Sequence, residues 1–266
     1  MEKGKGAKKI SGTREWAVAE INCSLGCPHD CRYCYASYDA IRKNRITPAQ
    51  WTTCRVLENV GGREHQLYDG QVMFPSAHDI VPENLDRCIQ ILTSLLDAGN
   101  RVLIVSKPHL DCILKICSAF DTVKDKILFR FTITARDDAI LGFWEPGAPA
   151  YKERVSCLEY AAEKGFATSV SVEPMLDTGD VVAMVRELLP YISHSIWLGK
   201  MNKISTRVLA DSDQMKEEIE RITREQDDVT IMHLYQQLDS LEKIRWKESI
   251  KEVIGLELAQ DSGLDI

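Results

Sequence analysis

The sequence predicts an α/β protein built on a parallel sheet, and three observations carry that prediction. Six short β-like runs recur along the chain. Most of them are followed by a helical pattern. Val, Ile, Leu and Phe dominate the runs without clean polar alternation, as in strands buried on both faces. Strands alternating with helices imply right-handed βαβ crossovers. Six units at about 30 residues each need roughly 180 residues, which fits the body of a 266-residue chain.

The runs span residues 16–22, 71–74, 101–106, 127–134, 167–173 and 195–198. Residues 84–98 carry apolar side chains at helical spacing and stop at Gly99. Residues 150–164 stop in the same way at Gly165, and residues 181–189 stop before Pro190. Residues 214–254 are charged and helical in pattern, and read as one or two closing helices packed on the barrel or its open edge, outside the cofactor site at the rim. The first connection is long. It passes through Pro48 and Gly61-Gly62, and reads equally as a lid or as a plain surface excursion. The expected organisation is a basic tail over 1–15, a body over 16–210 and an acidic helical segment over 211–266.

Apolar residues make up 44% and charged residues 27% of the chain, so it is not disordered or fibrous. No apolar run approaches the roughly 20 residues of a membrane span. The Lys- and Gly-rich stretch over residues 1–14 does not resemble a signal peptide. A cytoplasmic protein with no membrane partner is therefore expected. Nine cysteines in a reducing compartment are not expected to pair as disulfides. The net charge of −7 is uneven. Residues 211–266 hold 15 acidic and 7 basic side chains, while the remainder is close to neutral and begins with Lys3, Lys5, Lys8 and Lys9. Charge alone neither supports nor excludes a polyanionic partner.

One motif outweighs the rest. After the first run the chain reads Cys27-Pro28-His29-Asp30-Cys31-Arg32-Tyr33-Cys34. Three cysteines at C-x3-C-x2-C spacing stand at the C-terminal end of a strand, where parallel α/β folds place their sites. Thiolates suit zinc or iron–sulfur clusters. Three thiolates on a four-iron cube leave one iron open, the mark of a reactive site. The alternative is a zinc knuckle with Cys23 as the fourth ligand. Cys54, Cys88, Cys112, Cys117 and Cys157 read as buried apolar packing.

Cys27, Cys31 and Cys34, with Tyr33 before the last cysteine, resemble the cluster motif of the radical S-adenosylmethionine (radical SAM) superfamily. The longer run through Tyr35-Ala36, with Glu145-Pro146-Gly147-Ala148-Pro149 and Glu173-Pro174-Met175 downstream, resembles its spore photoproduct lyase-like branch. The resemblance implies a partial parallel (β/α)6 barrel with C-terminal helices. It implies a 4Fe-4S cluster whose open iron chelates S-adenosylmethionine (SAM), and a reductant such as flavodoxin or ferredoxin. Reductive cleavage of SAM would give a 5′-deoxyadenosyl radical that takes hydrogen from the substrate.

Within that frame Tyr33 is expected near the adenine. The superfamily commonly has Gly-Gly-Glu after its second strand, and this chain has Pro75-Ser76-Ala77-His78-Asp79 instead. Ser76 is the candidate there for the methionyl amino group, with His78 and Asp79 as candidate catalytic residues. Ser106 and Lys107 end the third strand, with Lys107 as the cation for the methionyl carboxylate. Thr134, Arg136 and Glu173 are further cofactor candidates at strand ends. Lys200 and Asn202 are candidates for substrate contact.

The thymine-dimer lyase of the branch uses an extra cysteine as hydrogen donor. No cysteine here ends strands two to six, which sets the chain apart from that reaction. The absence of a Cys-rich C-terminal region points to one cluster. The substrate readings are a nucleic-acid lesion or nucleotide, and a peptide or small metabolite. A non-catalytic metal-stabilised binding module is the reading from another class.

Overall fold

The computed structural model describes residues 10–58 and 65–264. Lys3, Lys5, Lys8 and Lys9, and the Gly61-Gly62 pair, lie outside the described residues. The strands are β1 (Ala19–Glu20), β2 (Ser24–Leu25), β3 (Arg55–Val56), β4 (Val72–Phe74), β5 (Val102–Ser106), β6 (Ile127–Thr132), β7 (Ala167–Val172), β8 (Ile196–Leu198) and β9 (Ile244–Trp246). Seven of them form one sheet in the order β1-β4-β5-β6-β7-β8-β9. Every pairing in that sheet is parallel. β2 and β3 form a separate antiparallel ribbon.

The helices that cover the sheet include α1 (Tyr35–Arg42), α2 (Pro48–Trp51), α3 (Leu85–Asp97), α4 (Leu110–Ala119), α5 (Asp138–Trp144) and α6 (Tyr151–Glu163). They continue with α7 (Val181–Leu188), α8 (Ile204–Arg207), α9 (Asp213–Glu225), α10 (Asp228–Leu238) and α11 (Glu248–Ile254). The result is the expected partial barrel, open between β1 and β9.

β6 shows how the sheet sorts its side chains. Phe129 and Phe131 belong to the core between sheet and helices, each contributing about 1.5–3 kcal/mol by burial. Leu128 packs on the other face with Trp16, Met73, Leu103 and Trp197, which fill the lumen. Arg130 is buried in that lumen. Its guanidinium lies 4.6 Å from the Trp16 ring centre and 5.2 Å from that of Trp197, and its Nε donates to Ser169 Oγ at 3.0 Å.

Three expectations change. The segment over 214–254 is not helical throughout, because β9 adds a seventh parallel strand beside β8. Its end also brings Glu248, Ser249 and Glu252 to the wall of the main cavity, so α11 lies on the rim site and not outside it. The run over 16–22 yields only two strand residues, preceded by a short 3-10 turn at Gly12–Glu15. That turn is held by a buried ion pair between Glu15 and Lys247, and Trp16 meets Trp197 edge-on at 5.7 Å.

Candidate cofactor site

A cavity of about 620 Å³ opens at the C-terminal ends of the strands. Cys27, Cys31 and Cys34 all line it. The loop that carries them is shaped by close backbone contacts. Gly26 has φ +90, and a Cβ there would lie 2.2 Å from the Thr53 carbonyl oxygen, so only glycine makes this turn. Cys27 N donates to Trp51 O at 2.8 Å and Arg32 N donates to Trp144 O at 2.9 Å. Gly147, in the Glu-Pro-Gly-Ala-Pro stretch, donates its N–H to His29 O at 3.0 Å. A Cβ on Gly147 would lie 2.0 Å from Pro28 O. That stretch is therefore a buttress for the cysteine loop.

Burial pushes all three thiols above their usual range. Asp79 adds to the rise at Cys27, while Lys107 opposes it at Cys31 and Cys34. A metal is what would deprotonate such thiols. Cys34 also caps α1, its sulfur accepting from Ser37 N at 3.4 Å.

Lys107 is buried at the cavity wall. Its ammonium lies 5.7 Å from the Tyr33 ring centre. Among the described residues it makes no ion pair within 4 Å. Burial works against its charge, but Cys31, Glu145 and Asp79 outweigh burial and hold it protonated above the usual lysine range. Tyr33 lines the cavity, and its hydroxyl donates to Glu145 Oε1. Glu145 Oε2 pairs with Arg154 at 2.6 Å, with neither side chain exposed.

Asp79 joins the strand ends to the loop. Its Oδ1 accepts from Ser106 Oγ at 2.8 Å and from Lys107 N at 2.7 Å, and its Oδ2 faces His29 Nδ1 at 2.9 Å. Burial alone would raise its pKa, but His29 and Lys107 outweigh it and hold the carboxyl well below the usual range.

Most of the residues singled out from the sequence share this cavity. Ser76, Ser106 and Glu173 line it, as do His78, Asp79, Lys200 and Asn202. Their bonding narrows what each can do. The His78 ring accepts from Cys23 N at 3.0 Å and faces Asp79 O at 2.9 Å, so both nitrogens are engaged. Ser76 Oγ accepts from Asn22 Nδ2 at 2.9 Å, which leaves its proton for a ligand. Glu173 lies 3.6 Å from Lys247 Nζ. Lys200 lies 3.6 Å from Asp228, and Asn202 Nδ2 donates to Glu248 at 3.3 Å.

Two candidates are elsewhere. Thr134 is buried off the cavity wall, its hydroxyl donating to Glu145 Oε1 at 2.8 Å. β6 ends at Thr132, so strand alternation does not reach Thr134. Arg136 is bound by Asp180 and by Glu187, the latter at 2.9 Å, which makes it a surface ion pair and not a carboxylate clamp. The zinc knuckle loses its fourth ligand, because Cys23 Sγ faces Cys88 Sγ at 3.7 Å in the core.

Sequence reasoning missed the cavity-lining turn at Ser11, Gly12 and Thr13, and the Glu145–Arg154 pair. The Glu-Pro-Gly-Ala-Pro stretch was the available signal for the second.

No family model matches the chain. It is 26% identical over 204 residues to the uncharacterised protein ORF301 of Acidianus two-tailed virus, covering 72% of this chain and 65% of that protein. The chain thus spans just under two thirds of that relative. Among solved structures, a spore photoproduct lyase variant with bound AdoMet and dinucleoside spore photoproduct aligns with TM-score 0.51 and 15% identity, over 91% of this chain and 79% of that one. SuiB of Streptococcus suis bound to its precursor peptide SuiA aligns with TM-score 0.54 and 11% identity, over 91% of this chain and 53% of SuiB. SuiB has also been solved with S-adenosylmethionine bound, at TM-score 0.52. The α/β fold of this chain is similar to that of radical SAM enzymes. Among the described residues no helix is long and apolar enough to cross a membrane.

Proposed function

We propose that this chain is a radical SAM enzyme of the spore photoproduct lyase-like branch, with a 4Fe-4S cluster held by Cys27, Cys31 and Cys34. One observation carries the reading. Three thiols of a single loop and the Lys107 ammonium converge on one cavity at the C-terminal rim of a parallel sheet. The donors fit the group: three soft ligands from one segment, with the remaining coordination left to the cavity.

When bound, the cluster supplies the electron that cleaves SAM to a 5′-deoxyadenosyl radical. The chain's own residues bind and shield. Lys107 offers a charge-assisted bond to the methionyl carboxylate. The Tyr33 ring, fixed through its hydroxyl by Glu145, gives an apolar face beside it. Ser76 offers a hydroxyl proton. Gly12, Thr13 and Trp16 line the same cavity.

The substrate reading we favour is a nucleic-acid lesion or nucleotide, because Lys203 and Arg207 stand on the cavity wall and suit phosphates. Salt-sensitive DNA binding is the expected sign. Binding of a peptide or metabolite, with no DNA shift, would overturn that part alone. The cluster is tested by metal analysis of the anaerobically reconstituted chain. About four irons and four sulfides per chain are expected, lost in Cys31→Ala and kept in Cys23→Ala. Zinc in place of iron would contradict the reading.

A further inference from the structure

Cys27 Sγ, His29 Nδ1 and Asp79 Oδ2 lie within 4.8 Å of one another. Two of these three groups have no part as ligands of the cluster. His29 Nδ1 is 2.9 Å from Asp79 Oδ2, and Cys27 Sγ is 3.8 Å from the same oxygen. The far side of each non-sulfur donor is already held. Asp79 Oδ1 is taken by Ser106 Oγ and Lys107 N, which turns Oδ2 toward the triad. His29 Nε2 meets His109 Nε2 at 2.9 Å. His109 Nδ1 in turn faces Glu153 Oε1 at 3.8 Å, and that oxygen accepts from Leu110 N at 3.0 Å. Outer bonds of this kind are what orient histidine and carboxylate ligands around a metal ion.

One thiolate sulfur, one imidazole nitrogen and one carboxylate oxygen form a donor set suited to tetrahedral zinc with one open position. Cys27 and Asp79 line the cavity while His29 is buried behind them, so the open position faces the cavity. We propose that the cluster-free chain binds one Zn²⁺ through Cys27, His29 and Asp79, in competition with the cluster. Both occupants need the sulfur of Cys27, so the loop holds one or the other. On binding, the Cys27 thiol releases its proton to solvent. His29 carries its ring proton on Nε2, toward His109. The Nδ1–Oδ2 contact opens to about 3.3 Å, the edge of a tetrahedron with bonds near 2.0 Å. The loop then chooses between metals by which cysteine or histidine neighbours it recruits.

The test uses the full chain freed of metal by chelation, with Co²⁺ as the optical probe and Zn²⁺ as its competitor. One equivalent of Co²⁺ should give the visible bands of a tetrahedral site and a thiolate charge-transfer band, both erased by Zn²⁺. His29→Ala and Asp79→Asn should weaken binding by roughly tenfold or more. Cys31→Ala and Cys34→Ala should leave it unchanged. Cluster assembly should show the opposite pattern, lost in Cys31→Ala and kept in His29→Ala, with Cys27→Ala losing both metals. Circular dichroism on each variant separates loss of ligand from loss of fold, and His29→Gln provides a milder second variant. A cobalt spectrum that needs Cys31 or Cys34 but not His29, or no tetrahedral spectrum in the wild-type chain, would overturn the proposal. A chain that binds zinc as described but never assembles a cluster would overturn the cluster reading and leave this one standing.

Discussion

Lys247 Nζ lies 2.7 Å from Glu15 Oε1, and neither side chain is exposed. The same ammonium donates to Gly12 O at 2.7 Å and stands 4.1 Å from the Trp16 ring centre. The residue after the last strand therefore fastens the N-terminal turn over the open edge of the sheet. Removing one partner of such a pair strands a buried charge. Above about pH 8, where the Glu15 carboxyl is ionised, Lys247→Ala should cost about 3–5 kcal/mol, read by chemical denaturation. A loss below about 1 kcal/mol, the level of an exposed pair, would show that the turn is not held this way.

The same cluster gives a pH dependence. Burial is the main cause that pushes Glu15 up to about 8, with a hydrogen bond to Glu248 adding to it. A carboxyl that holds its proton more tightly in the folded chain stabilises at low pH and loses that contribution as the pH rises through its folded value. Stability should therefore decline between about pH 4.5 and pH 8, the interval between the ordinary and the folded values. Glu15→Gln should flatten that decline. An unchanged slope in the variant would assign the dependence to other groups.

Gly147 tests the buttress. An added Cβ meets Pro28 O at 2.0 Å, a backbone atom with little room to yield. Gly147→Ala should cost about 1–3 kcal/mol from overpacking and should slow or reduce cluster assembly, because the displaced segment is the cysteine loop. Wild-type stability and full iron uptake together would show that the loop tolerates the shift.

Lys107 tests the pocket. A charge-assisted bond is worth roughly 1.5–3 kcal/mol, so Lys107→Ala should weaken SAM binding about 10- to 150-fold. Lys107→Arg should recover little, since a planar fork does not replace a point charge in a tight site. Cluster assembly should persist in both variants. Thr134→Val should leave SAM affinity near wild type, because that hydroxyl serves Glu145 and not the cavity. Unchanged affinity in Lys107→Ala, by equilibrium binding to the reconstituted chain, would remove Lys107 as the cation for the carboxylate.

The parts legible in the sequence were those written locally. The cysteine spacing is contiguous, and β4 to β8 are apolar runs whose pattern survives without tertiary help. β9 was hidden because Ile244-Arg245-Trp246 is three residues long and flanked by Lys243 and Lys247, which read as a charged helix face. Thr134 and Arg136 were misplaced for a geometric reason. Alternation was carried two and four residues past Thr132, where β6 ends and the chain turns toward α5. Glu15 with Lys247, and Glu145 with Arg154, are ion pairs that only the fold brings together. Glu145 does stand in a stretch whose resemblance marked it without assigning it a task.

The most direct measurement is SAM cleavage itself. The anaerobically reconstituted chain, reduced with dithionite and given SAM, should form 5′-deoxyadenosine and methionine. Cys31→Ala under the same conditions should form neither. A fully iron-loaded wild-type chain that binds SAM and yields no 5′-deoxyadenosine would contradict the proposed function.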